Sequence, residues 1–161
     1  INAAHLSDAI LYALRRDTRT TLASLPDVSE GLENVLYEKA RSCTDYPAFL
    51  AAVKTKRYTL ARLRRIAMHA LLGVDKAFVA RHPAPRYLRV LGVRRDALAL
   101  LSALSECASL PVVSGYQDYA ALNGIAKEQF DLDLFAGELS SMAAPAPEAA
   151  SSEFSRPLLI V

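Results

Sequence analysis

The sequence holds only two cysteines, Cys43 and Cys107, far apart and outside any C-x-x-C spacing. That excludes a secreted disulfide framework and a cysteine-based zinc site. Long apolar runs are also missing: charges break every hydrophobic stretch, so no transmembrane helix fits. Residues 1–5 (Ile-Asn-Ala-Ala-His) lack the basic start and long apolar stretch of a secretory signal. The expectation is a cytoplasmic protein with reduced thiols and no membrane partner. The three histidines, His5, His69 and His82, share no metal-ligand spacing, so no metal site is expected. G-x-x-x-x-G-K-[ST], G-x-G-x-x-G and G-x-S-x-G are all absent, and the sequence offers no self-sufficient active site. Glu30 and Glu33 are paired carboxylates, but a helix amino-terminus favours such charges without any chemistry.

What is present is a strong division of charge. Residues 1–95 hold 17 Lys/Arg against 8 Asp/Glu, whereas residues 96–161 hold 2 against 9. The overall charge of +2 conceals this split. A basic half beside an acidic half points to a polyanion at one end, or to helix faces that are simply solvated with different signs.

Periodicity predicts a mostly helical chain with a small parallel βαβ element, an α+β arrangement. Leu6, Ile10, Ala13 and Leu14 stand at helical spacing, with Ser7 as a cap. After Pro26, Asp27 or Ser29 is expected to open a helix that runs to about Ser42. Thr44-Asp45-Tyr46-Pro47 begins another, since proline suits a first helical turn. Thr59 caps a helix reaching Leu72, which Gly73 closes. A short helix covers Lys76–Arg81.

After Pro85 the pattern changes. Residues 87–93 read as a strand, residues 94–108 as a helix and residues 110–114 as a second strand, so the strands should be parallel. Two further helices cover residues 116–123 and 125–142. The expected divisions are a helical basic region over 1–83, the βαβ unit with its helices over 84–142 and a low-complexity linker over 143–153. The apolar tail, 154–161, should dock as an edge strand and complete a two- to three-stranded sheet.

The most informative stretch is Lys54-Thr55-Lys56-Arg57-Tyr58-Thr59-Leu60-Ala61-Arg62-Leu63-Arg64-Arg65. Six of these twelve residues are basic, and no acid occurs between Asp45 and Asp75. At 100° per residue, Leu60, Leu63, Ala67, Ala70 and Leu71 share one helix face. Arg62, Arg65 and His69 then line the opposite face, with Arg64 at the flank. Arginine forks suit phosphate oxygens, the helix start favours anions, and Tyr58 is placed to stack on a base. Two other readings stand beside this one: a basic face that only keeps the helix solvated, and a protein-interaction module docking an acidic partner surface.

In order along the chain come Asp27-Val28-Ser29-Glu30-Gly31-Leu32-Glu33-Asn34, Lys54-Thr55-Lys56-Arg57-Tyr58-Thr59-x-x-Arg62-x-x-Arg65, Tyr87-Leu88-Arg89-Val90-Leu91-Gly92 and Arg156-Pro157-Leu158-Leu159-Ile160-Val161. Together they resemble the carboxy-terminal region of the tRNA(Met) cytidine acetate ligase family. The resemblance implies a parent protein that uses ATP and acetate to acetylate the wobble cytidine of elongator tRNA(Met). It further implies an amino-terminal nucleotidyltransferase domain with an H-x-G-H-type motif, which is absent here. This chain is therefore expected to be a carboxy-terminal fragment, not catalytic by itself and holding no cofactor. By the same resemblance Lys54, Lys56, Arg57, Tyr58, Thr59, Arg62, Arg65 and Arg89 face tRNA. Ser29, Glu30 and Gly31 are the expected contact with the protein's own catalytic domain.

Overall fold

Capping and burial explain where each helix begins and ends. The computed structural model describes residues 6–144 and 158–161, and these fall into two units, the first of residues 6–81 with 142–144 and the second of residues 82–141 with 158–161. The first unit holds α1 (Ser7–Arg16), α2 (Arg19–Ser24), α3 (Leu32–Ser42), α4 (Tyr46–Val53), α5 (Leu60–Leu72) and α6 (Lys76–Arg81). The Asp45 carboxylate accepts from the Ala48 amide at 2.7 Å, and Pro47 stands in the first turn of α4. Thr59 Oγ1 accepts from the Arg62 amide at 3.4 Å and so caps α5. Gly73 ends that helix at φ 70°, the left-handed conformation that glycine adopts without a Cβ clash.

Two expected starts differ. Ser7 does not cap α1; its hydroxyl accepts from the Tyr46 amide at 2.9 Å and satisfies the first turn of α4 instead. Neither Asp27 nor Ser29 opens α3, because Gly31, at φ 82°, turns the chain directly into Leu32. Asp27 and Ser29 are taken up elsewhere, as described below.

The core of this unit is continuous. Ile10 and Leu14 of α1, Leu32 and Leu36 of α3, Phe49 and Val53 of α4, and Leu63 and Ile66 of α5 are all buried in it. Each such side chain contributes about 1.5–3 kcal/mol by leaving water. Several of the many arginines serve the fold. Arg15 donates to the carbonyl oxygens of Ala40 and Cys43, both at 2.7 Å, and Arg41 donates to that of Arg15 at 2.6 Å. These carbonyls lie at helix ends, where no intrahelical donor reaches them.

The second unit confirms the parallel strand–helix–strand reading. Strand β1 (Leu88–Arg89) pairs in parallel with β3 (Val112–Val113), Leu88 opposite Val112. Between them in sequence run β2 (Gly92–Val93), a 3-10 turn over Arg95–Ala97 and α7 (Leu98–Cys107). Helices α8 (Tyr116–Ala121) and α9 (Gly124–Met142) follow. Val113, Leu122, Ala126 and Phe130 form its core, with Tyr87, Tyr119 and Leu134 packed against them.

The tail does pair, but not into one sheet. Strand β4 (Leu159–Ile160) lies parallel to β2, so the described residues form two two-stranded sheets where one of two or three strands was expected. The run 87–93 is interrupted at Val90 and Leu91: the Val90 amide bonds Val113, while the Leu91 carbonyl accepts from Leu159. A Cβ at Gly92 would sit 3.1 Å from the Leu159 carbonyl oxygen, so glycine permits this close approach. Of the expected linker, Ala143 is buried in the first unit's core, and residues 145–153 lie outside the described residues, as do 154–157 of the tail. Among the described residues no helix is long and apolar enough to cross a membrane.

Candidate nucleic-acid interface

The basic stretch folds as a capped turn. Helix α4 ends at Val53, and the Lys54 amide still reaches the Leu50 carbonyl at 2.9 Å. Thr55 then closes the turn: its amide donates to the Tyr58 carbonyl at 3.2 Å, and its hydroxyl accepts from the Tyr58 amide at 3.0 Å. Lys56 and Arg57 form the exposed tip between these two residues. Tyr58 is half-buried against the first core and anchors the turn. Its ring has the Arg57 and Arg62 guanidiniums at 5.9 and 5.5 Å from the centroid, so cations occupy the neighbourhood where a stacked base was expected.

The stripe has acid partners, although none lies near it in sequence. Across from the turn and α5 lies the loop of residues 27–31, and three arginines hold it. Arg57 donates through Nε to Glu30 Oε2 at 2.8 Å and pairs with the same oxygen through a second nitrogen. Arg62 donates to the Asp27 carbonyl at 2.8 Å and to the Ser29 hydroxyl at 2.9 Å. Arg65 Nε meets Asp27 Oδ2 at 2.8 Å. Lys76 adds bonds to the carbonyl oxygens of Ala23 and Val28, at 2.7 and 2.9 Å. Counting acids along the chain cannot find these partners, because they come from about thirty residues earlier.

This loop has an unusual backbone. Asp27 and Glu30 have φ of 65° and 62°, left-handed values that side chains seldom adopt, and Gly31 follows at 82°. Basic side chains from the turn, α5 and α6 fix it in place. The hydrogen bond from Arg65 is the main reason the Asp27 carboxyl is held below its ordinary range. The Arg65 contribution to stability is thus complete above that range and fades as pH falls through the lowered value.

His69 was expected at the surface and is instead half-buried beside this loop. Its Nδ1 is buried and has no hydrogen-bond partner among the described residues. Burial holds its imidazole below the usual histidine range, with the Asp27 carboxylate opposing that shift. As pH falls below about 6.5 the unfolded chain takes up this proton before the folded one. Stability should drop there until the lowered folded value is passed, and His69→Gln should remove that component. Melting temperatures of the two proteins from about pH 7.5 to 5 check this; equal slopes would contradict it.

Lys54 and Lys56 remain exposed, and neither forms an ion pair or side-chain hydrogen bond among the described residues. Arg64 is exposed as well, near the buried Tyr46 hydroxyl. Thr59 serves the helix as a cap. Arg89 belongs to the second unit, where its guanidinium lies 5.3 Å from the Phe130 ring centroid. Ser29, Glu30 and Gly31 are exposed, the first two engaged by Arg62 and Arg57.

The interface can therefore bind an anion electrostatically, through six cations of residues 54–65 opposed by the Asp27 and Glu30 carboxylates. Among the described residues there is no group of three His, Cys, Asp or Glu side chains placed to hold a metal.

A family model described as HIGH Nucleotidyl Transferase matches residues 1–154. The tRNA(Met) cytidine acetate ligase of Thermoanaerobacter sp. (strain X514) is 31% identical over 159 residues, 99% of this chain and 39% of that protein. The enzyme of the same name from Thermotoga maritima is 31% identical over 155 residues, 89% of this chain and 37% of that protein. The crystal structure of Thermotoga maritima TmcAL bound with alpha-thio ATP superposes with a TM-score of 0.85 at 29% identity, covering 98% of this chain and 42% of that one. The chain spans about two fifths of the length of the curated relatives it matches.

Proposed function

Because the chain belongs to the HIGH nucleotidyl transferase family, we propose that it is the tRNA-gripping, carboxy-terminal part of an ATP-dependent tRNA(Met) cytidine acetate ligase. In this reading the whole protein uses ATP and acetate to form N4-acetylcytidine at the wobble position of elongator tRNA(Met). The residues described here hold the tRNA and carry no bond-making step. The relatives' names support the substrate, and the order of the sequence motifs supports the place in the protein.

The observation that carries the proposal is the Lys54–Thr59 turn. It puts two exposed lysines, without an ion pair among the described residues, at the tip and base of a turn that Thr55 closes, Tyr58 anchors and Thr59 caps. Phosphate contacts from such residues give affinity, while base contacts give selectivity. Binding of the chain to unmodified elongator tRNA(Met), with an unrelated tRNA alongside, tests the reading. Preference for tRNA(Met) is the expected result. Equal binding of both would reduce the turn to a general RNA grip, and no binding would favour a module that docks an acidic protein surface.

A further inference from the structure

We propose that Asp27 and Glu30 stand in for two RNA phosphates, occupying Arg65 and Arg57 in the free protein and yielding them to phosphodiester oxygens on binding. The inference rests on the tRNA-gripping reading and gives it a mechanism.

Carboxylate and phosphodiester are close chemical equivalents for a guanidinium. Each carries one negative charge spread over two oxygens, and each accepts from the arginine fork. Arg57 meets Glu30 through two nitrogens, and Arg65 meets Asp27 at 2.8 Å, so both already face an anion of the right kind. Both pairs are open to solvent: the side chains of Arg57 and Glu30 are 59% and 53% exposed, and those of Arg65 and Asp27 58% and 36%. Exposed pairs of this sort add little net stability, so exchange needs side-chain rotation and no opening of the core.

The backbone shows that the two carboxylates are placed with care. Among the described residues, the two non-glycine residues in the left-handed conformation are the two that supply them. Such a conformation persists only where surrounding contacts over-determine it. Here Arg62 holds the loop through the Asp27 carbonyl and the Ser29 hydroxyl, and Lys76 through the carbonyls of Ala23 and Val28. All four acceptors are neutral. The loop thus stays tethered when the carboxylates let go, and Arg62 keeps an unneutralised charge throughout.

The arrangement has a cost and a use. Displaced carboxylates remain near the incoming phosphates, which lowers affinity for every RNA. A ligand that offers a phosphate at only one of the two positions cannot complete the exchange. The pairs therefore discriminate against casual polyanions while keeping Arg57 and Arg65 in position.

The test compares the wild-type chain with Asp27→Asn/Glu30→Gln, and with Glu30→Gln alone in case Asn at position 27 disturbs the loop. Circular dichroism would confirm that each is folded. Binding of unmodified elongator tRNA(Met) and of an unrelated tRNA is measured across a salt series. The double variant should bind both about tenfold tighter, with a smaller preference between them, and its log K against log salt should steepen by about 1–2. Glu30→Gln alone should give about half that change. If the wild type binds and the variants bind no tighter, the arginines are tethers for the loop and the inference is lost, while the gripping role stands. If no protein binds RNA, the gripping role and the inference fail together.

Discussion

Phe49→Ala should destabilise the first unit by about 3–5 kcal/mol, the range for deleting a fully buried aromatic side chain. Phe49 is 1% exposed, and its ring stacks with Tyr46 at 6.3 Å between centroids. It sits in α4, one turn before Val53, and α4 runs straight into the basic turn. The cavity would loosen the helix that positions Lys54 and Lys56, so tRNA binding should weaken along with stability. The sequence has no tryptophan, so urea denaturation is best followed by far-UV circular dichroism. Phe135→Ala is the control: that ring is 42% exposed, and its loss should cost within about 0.5–1 kcal/mol. Equal effects of the two substitutions would contradict the placement of the core.

The second large effect concerns charge. Lys54→Glu with Lys56→Glu should lower tRNA affinity by on the order of a hundredfold at low salt, since each change removes a cation and adds an anion. Both side chains are exposed, so the melting temperature should hold. Lys54→Gln with Lys56→Gln removes the cations without repulsion and should cost about tenfold. Filter binding at a fixed low salt concentration reads both. Undiminished affinity in the Glu pair would exclude the turn from the interface.

Much of the frame was legible because it is written in local chemistry. Asp45 with Pro47, Thr59 and Gly73 sit at the helix ends where their side chains and backbone preferences put them. The parallel strand–helix–strand unit followed from a change in residue pattern at Pro85. What the sequence hid is tertiary. Ser7 caps a helix thirty-nine residues away, and the β2–β4 pair joins segments from opposite ends of the second unit.

The candidate site divides in the same way. Its basic character and its capped helix were visible along the chain. That Arg57, Arg62 and Arg65 are engaged by residues 27–31 was not, because Asp27 and Glu30 read locally as helix-start residues. Gly31 takes over that start and frees them to meet α5 and the turn before it. His69 is half-buried for a related reason: helical spacing puts it on the polar face, and the loop then lies beside it.

If the Lys54–Arg65 stretch grips the tRNA backbone, its exposed cations release counterions on binding. The most direct test is the slope of log K against log salt concentration for binding of this chain to unmodified elongator tRNA(Met). Lys54 and Lys56, each taking a phosphate, predict a slope of about −1.5 to −2, since each contact contributes roughly −0.7 to −0.9 and the carboxylate-for-phosphate exchanges at Arg57 and Arg65 add little net counterion release. A slope near zero at measurable affinity would mean that the basic stretch does not meet the phosphates.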